Sequence, residues 1–192
     1  MVTAQLGKVR GLLFDLDGTL VGTKQANFFA YRDAFAEFGQ PLPAEVFEKT
    51  WGQDSRDFIP ELIPGIRPEE VDHMRSRKSV LYEKYLDRTV ANVALIEFLR
   101  MVRPAHKTAI VSTAKSVNGR QILELHGLEP LFDVLIFGDS VVSGKPDPEG
   151  YRKAIELLGI QPAEGLAFED SAAGQEAALA AGLQVIEVAE FE

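Results

Sequence analysis

Residues 9–19 read Val-Arg-Gly-Leu-Leu-Phe-Asp-Leu-Asp-Gly-Thr, an apolar run that turns abruptly polar and small. Residues 9–14 predict a buried strand, and Asp15 onward the loop that it feeds. The same pattern returns at 108–111, which ends in Ser112-Thr113, and at 134–137, which ends in Gly138-Asp139. It returns again at 166–168, ending in Glu169-Asp170-Ser171, and 184–188 closes the series. Short, continuous apolar runs of this kind suit strands buried on both faces, and therefore a parallel sheet.

Helical patterns fill the gaps at 92–102, 117–125, 149–158 and 171–180. Gly127, Gly159 and Gly182 stand where the last three of these should end, and Ser171 is placed to cap the helix that follows it. Alternation of strand and helix from residue 92 predicts right-handed βαβ units with helices on both sheet faces. One stretch breaks the alternation. Residues 25–87 show no strand pattern, but helical spacing at Phe28, Tyr31, Phe35 and Phe38, and again at Val71, Met74, Lys78, Leu81 and Tyr85. Pro41, Pro43, Pro60, Pro64 and Pro68 should divide it into short helices. The expected architecture is α/β: a parallel-sheet core from 1–21 and 88–192, with a small all-helical unit, 22–87, inserted after the first strand.

Composition narrows the partners. A net charge of −9 with no run of Lys or Arg argues against nucleic acid and anionic membrane. Any phosphate-bearing ligand must then be held by a local cation or by backbone N–H groups, against the global field. The chain has no cysteine, which excludes disulfides and thiolate metal sites. No apolar run reaches membrane-spanning length, and residues 1–10 lack a signal-peptide pattern. A monomer in the cytoplasm is expected.

Ligands of open parallel sheets bind outside the carboxyl ends of the strands. Those ends carry Asp15, Asp17, Gly18 and Thr19, then Ser112 and Thr113, then Glu169 and Asp170, with Lys145 shortly after the 134–137 strand. Carboxylates resist crowding without a cation, so two acidic clusters at strand tips suggest a divalent metal, and oxygen ligands suggest Mg2+. A lysine and a hydroxyl beside them match the needs of a transferring phosphoryl group. An aspartate can itself be the nucleophile. His73, His106 and His126 have no metal spacing.

These residues also carry a resemblance. Asp15-Leu16-Asp17-Gly18-Thr19, Ser112 after an apolar strand, Gly144-Lys145-Pro146-Asp147-Pro148, and Phe168-Glu169-Asp170-Ser171 before Ala-Ala-Gly resemble the four ordered motifs of the haloacid dehalogenase-like hydrolase superfamily. The helical insert after the first motif is similar to the small cap of the subgroup containing phosphoglycolate phosphatase and β-phosphoglucomutase. The resemblance implies a Rossmann-like core with 22–87 as its cap, Mg2+, and an aspartyl-phosphate intermediate on Asp15. It implies that Asp17 protonates the leaving oxygen, then activates water, and offers its carbonyl to the metal. Ser112 and Lys145 would hold the phosphoryl oxygens, and Asp170 would anchor the metal with Glu169 beside it. Gly18, Thr19 and Thr113 fall among the phosphate-side groups.

The cap loop at 51–56, Trp-Gly-Gln-Asp-Ser-Arg, offers Gln53 and Arg56 as substrate contacts. Two positions depart from the family pattern: Gly22 stands where an acidic residue is frequent, and Ala91-Asn92 where Pro-Gly is frequent. The implied reaction is hydrolysis of a small phosphorylated metabolite. A sugar phosphomutase would use the same residues. A phospho-receiver module shares an aspartate, a hydroxyl, a lysine and an acidic pair, but lacks a second acid at the Asp17 position and the helical insert.

Overall fold

The computed structural model describes residues 8–189 and Phe191. The chain forms two compact units, one running up to Gly22 and resuming at Val90, the other Thr23–Thr89.

The first unit contains strands β1 (Gly11–Phe14), β2 (Val21–Gly22), β3 (Val90–Ala91), β4 (Lys107–Val111), β5 (Val134–Ile136), β6 (Gly165–Glu169) and β7 (Gln184–Glu187). Five of them make one parallel sheet in the order β5-β4-β1-β6-β7. Leu13, at the centre, lies opposite Ala109 on one side and Ala167 on the other. All four residues of β1 are buried, which is why its sequence shows no alternation. The first strand of the chain thus lies in the middle of the sheet.

Both faces of this sheet are packed. On one face Leu13, Ala109 and Ala167 form a core with Ala154 and Leu158 of the helix Glu149–Leu158, and with Ala177 of the helix Ala172–Ala180. On the other, the Phe14 ring stacks on Phe168 at 4.6 Å between centroids, with Phe98 set at 5.8 Å from Phe168. Offset aromatic pairs of this kind add about 0.5–1.5 kcal/mol beyond the area they bury. Gly127, Gly159 and Gly182 all take positive φ at helix ends, as their positions in the sequence required. The Ser171 hydroxyl accepts from the Gly174 N–H at 3.1 Å and caps its helix.

The remaining short strands, β2 and β3, pair antiparallel as a separate ribbon, Val21 opposite Ala91. Two-residue strands carry no readable periodicity, and this ribbon was not expected. Beside it, Asn92 caps the helix Val93–Val102 by accepting from the Leu95 N–H at 3.2 Å, while its Nδ2 donates to the Thr19 carbonyl at 3.0 Å. The Asn found in place of the family's frequent Gly therefore ties the loop after β1 to a helix start.

The second unit is helical: α1 (Lys24–Glu37), α2 (Ala44–Thr50), α3 (Ser55–Leu62) and α4 (Pro68–Tyr82), followed by a 3₁₀ segment, Glu83–Arg88. The remaining helices of the first unit are α5 (Val93–Val102), α6 (Ser116–Leu125), α7 (Glu149–Leu158) and α8 (Ala172–Ala180). Within the helical unit α1 and α4 pack together. The fully buried face of α1 is Ala26, Ala30 and Ala34 with Phe35, whereas Phe28, Tyr31 and Phe38 are half-buried. The aromatic stripe seen in the sequence instead joins elements, Phe28 and Tyr31 meeting Phe47 of α2, and Tyr31 meeting Phe58 of α3. Pro68 starts α4 as its spacing required. Pro60 does not divide helices. It lies inside α3, where its missing N–H removes one helical hydrogen bond near the C-terminal end of a short helix.

Candidate active site

Each acidic or hydroxyl group of interest stands where a strand stops. Asp15 follows β1, and its N–H donates to the Phe168 carbonyl at 3.0 Å, so pairing with β6 continues one residue past the strand. Ser112 follows β4, its N–H bonded to the Ile136 carbonyl at 3.0 Å. Glu169 ends β6 and Asp170 comes next. Because β4, β1 and β6 are adjacent, these tips lie side by side at the point where connections leave on both sides of β1, the place where open α/β sheets bind ligands.

The loop after β1 turns on Gly18, at φ 86°, a conformation that side chains disfavour. A Cβ there would also strike the Asp170 carboxylate. The two constraints act together: the loop bends over Asp170 only because residue 18 has no side chain. Thr19, expected among the phosphate-side groups, is fully buried, and its hydroxyl donates to Asp170 Oδ1 at 2.7 Å. Both Gly18 and Thr19 thus shape the surroundings of Asp170.

Lys145 arrives from the loop after β5. That loop is fastened by the Glu149 carboxylate, which accepts from the Val142 N–H at 2.9 Å and the Ser143 N–H at 2.8 Å. The Lys145–Pro146 peptide bond is cis. The side chain is nearly buried, with Nζ 2.5 Å from Asp15 Oδ1 and paired also with Glu169 Oε1. Ser112, buried, donates to Asp17 Oδ2 at 3.3 Å and accepts from the Ala114 N–H at 3.0 Å. Thr113 is exposed. Of the two neighbouring hydroxyls, Ser112 is the one drawn into the cluster. Both line a cleft at Lys145, with apolar walls from Val111, Ile136 and Val141.

The structure therefore brings together Asp15, Asp17, Ser112, Lys145, Glu169 and Asp170. Gln53 and Arg56 belong to the helical unit. Gln53 precedes α3, exposed, its Nε2 donating to the Lys49 carbonyl at 3.2 Å. Arg56 lies exposed in the first turn of α3, its N–H held by the Asp54 cap at 2.7 Å. Gly52 before them takes φ 86°, a tight bend. Ser55, from the same loop, is engaged by Arg75 at 2.9 Å.

Charge is unbalanced at the strand tips. Burial pushes the Asp15 carboxyl well above its usual range, Lys145 opposes this, and Glu169, Asp170 and Asp17 push it further up. Burial raises Asp170 too; the Thr19 hydrogen bond opposes it, and the charge of Glu169 adds to it. Burial works against the Lys145 ammonium, but Asp15 and Glu169 outweigh it and hold the lysine above its ordinary value. One carboxylate oxygen from each of Asp15, Glu169 and Asp170 lies within 4.8 Å of the others. With all three ionised, Lys145 leaves two negative charges uncompensated, the charge of one divalent cation. An all-oxygen donor set of this size fits a hard ion such as magnesium.

Two contributors escaped the sequence reading. Tyr151 of α7 is fully buried and donates to Glu169 Oε1 at 2.5 Å. Its signal was a phenol on the inward stripe of α7, shared with Ala154, Ile155 and Leu158. Gly174 leaves room for Glu169, since a Cβ there would strike the carboxylate. Its only sequence signal was a glycine inside a helical pattern.

Comparison with known proteins agrees with this layout. The family described as "Haloacid dehalogenase-like hydrolase" matches residues 12–188. A phosphorylated carbohydrates phosphatase of Thermotoga maritima is 30% identical over 183 residues, covering 93% of this chain and 84% of its own. A Lactobacillus plantarum structure, proposed to be a phosphoglycolate phosphatase, superposes with a TM-score of 0.84 at 22% identity, covering 92% of this chain and 84% of that one. β-Phosphoglucomutase of Clostridium difficile superposes with a TM-score of 0.81 at 21% identity, covering 95% and 85%. The last two likenesses concern the fold. The match over nearly the whole chain, with a relative of the same length class, means that the chain belongs to the haloacid dehalogenase-like hydrolases and is an enzyme of phosphatase type.

Proposed function

We propose that this enzyme is a magnesium-dependent phosphatase that hydrolyses a small phosphate monoester through an aspartyl-phosphate on Asp15. The observation that carries the reading is the pairing of a buried carboxylate, Asp15, with a buried ammonium, Lys145, at 2.5 Å, with Asp17, Glu169 and Asp170 around them. A lysine so placed can neutralise a phosphoryl group as it approaches the carboxylate.

In the first step an Asp15 oxygen attacks phosphorus and the bond to the leaving oxygen breaks. Asp17, as the acid, gives that oxygen its proton. In the second step Asp17, now the base, takes a proton from water as the water oxygen attacks phosphorus. Inorganic phosphate leaves and Asp15 is restored. Lys145 and Ser112 hold the phosphoryl oxygens. Asp15, Asp170 and Glu169, with the Asp17 carbonyl, would hold magnesium, which supplies positive charge against those oxygens. Release of free phosphate, rather than formation of an isomeric ester, separates this reading from a mutase.

The role of Asp17 is testable through the leaving group. Asp17→Ala should slow hydrolysis of alkyl phosphates by about 10²–10⁴-fold, the usual worth of general acid–base help. Aryl phosphates, whose leaving oxygens need less protonation, should lose much less. Equal losses at the chemical step would remove Asp17 as the proton donor.

Substrate choice is assigned to the helical unit, the cap of the sequence reading, and within it to Gln53 and Arg56. The core groups address only the phosphoryl group and its carrier, so discrimination among leaving groups has to come from elsewhere. Arg56→Ala should lower kcat/KM for the best substrate by about tenfold or more, the worth of one hydrogen bond to a charged group. It should scarcely alter hydrolysis of a minimal generic phosphate ester. Unchanged kinetics on every good substrate would return Arg56 to a solvent-facing role.

A further inference from the structure

Glu169 is fully buried, and both of its carboxylate oxygens are engaged. Oε1 accepts from the Tyr151 hydroxyl at 2.5 Å and from Lys145, while Oε2 accepts from the Ser171 hydroxyl at 3.3 Å. The Tyr151 side chain does more than reach Glu169. Its ring lies 5.5 Å from Lys145 Nζ, within the range where an aromatic face attracts an ammonium. A single residue of α7 thus touches one member of the acidic cluster and the cation that faces Asp15.

Packing alone does not ask for the hydroxyl. Tyr151 sits among Ala154, Ile155 and Leu158, where a phenylalanine ring would fill the same space. What the hydroxyl adds is a fixed partner for a buried carboxylate. Without it, Glu169 Oε1 would rest on Lys145 alone, and the carboxylate could turn away from Asp15 and Asp170. Partners outside the ligand set that orient a metal-binding carboxylate commonly set its affinity.

We propose that Tyr151 is a positioning residue for the metal: its hydroxyl fixes the Glu169 carboxylate and its ring face steadies Lys145, so that the cluster is assembled before any ion arrives. The proposal rests on the magnesium-dependent reading above.

The test is calorimetric titration of magnesium into the resting protein, without substrate, for wild type, Tyr151→Phe, Glu169→Gln and the double variant. Circular dichroism checks that each is folded. Tyr151→Phe should weaken magnesium binding by about 10- to 100-fold, as loss of an outer partner typically does. The KM for the ester at saturating magnesium should move less than the metal affinity. Because Tyr151 acts through Glu169, the double variant should bind magnesium no more weakly than Glu169→Gln. Tyr151→Phe binding magnesium as tightly as wild type would overturn the proposal while leaving the phosphatase reading in place. Losses that simply add in the double variant would also overturn it. Wild type taking up no magnesium would bring down the metal-dependent reading, and this proposal with it.

Discussion

Asp15→Asn should abolish turnover while leaving the fold intact. The amide matches the carboxylate in shape, so the bonds from the Asp15 N–H and the packing around β1 survive. The chemistry does not survive, because an amide oxygen is far too weak a nucleophile to form the covalent intermediate. A loss of about 10³-fold or more in kcat is expected, since removing a nucleophile leaves only what binding and charge stabilisation supply. Stability should not fall in step. Asp15 is buried among Glu169, Asp170 and Asp17, and losing its charge relieves a crowded carboxylate cluster even as Lys145 loses one partner. Activity within tenfold of wild type, with a native circular dichroism spectrum, would take Asp15 out of its role.

Removal of the metal should have an effect of similar size. Asp15, Glu169 and Asp170 crowd their oxygens within 4.8 Å, and Lys145 is the cation paired with the first two. Excess chelator should therefore bring activity to background, and magnesium should restore it. Calcium should inhibit rather than restore. It takes about 6–8 oxygens in a loose shell, whereas magnesium demands near-octahedral geometry at about 2.0–2.1 Å. The larger ion would set Asp15 and the phosphoryl group at the wrong separation for in-line attack. Full activity in excess chelator would contradict the metal-dependent mechanism as a whole.

What could be read from the sequence was what is encoded locally. The strand tips at Asp15, Ser112 and Glu169, the glycines that end α6, α7 and α8, and the Ser171 cap each depend on neighbours a few residues away. The helical character of the inserted segment was legible for the same reason, through spacing along α1 and α4. Features that failed to show depend on distant partners or on too few residues. Thr19 meets Asp170 across 151 positions of sequence, so nothing near Thr19 announces that its hydroxyl is committed to a carboxylate. Tyr151 reads as one more inward residue of an amphipathic helix until β6 brings Glu169 beside it.

The helical unit shows a different limit. Phe28 and Tyr31 gave the expected helix, but its most buried face is an alanine stripe, which a hydrophobicity pattern ranks below aromatic residues. Small side chains let helices approach closely, and the larger rings then bridge to α2 and α3. Pro60 was read as a breaker because a helix interior disfavours proline. It is accommodated because α3 is only eight residues long, so few bonds follow it.

The covalent intermediate can be looked for directly. The enzyme, mixed with magnesium and a good phosphate ester and quenched with borohydride during turnover, would have any acyl phosphate reduced to the alcohol. Peptide mass spectrometry then reads the site. The expected result is homoserine at position 15 in the substrate-treated wild type, absent without substrate and absent from Asp15→Asn. Continued phosphate release with an unreduced Asp15, or reduction at another carboxylate, would contradict an aspartyl-phosphate on Asp15.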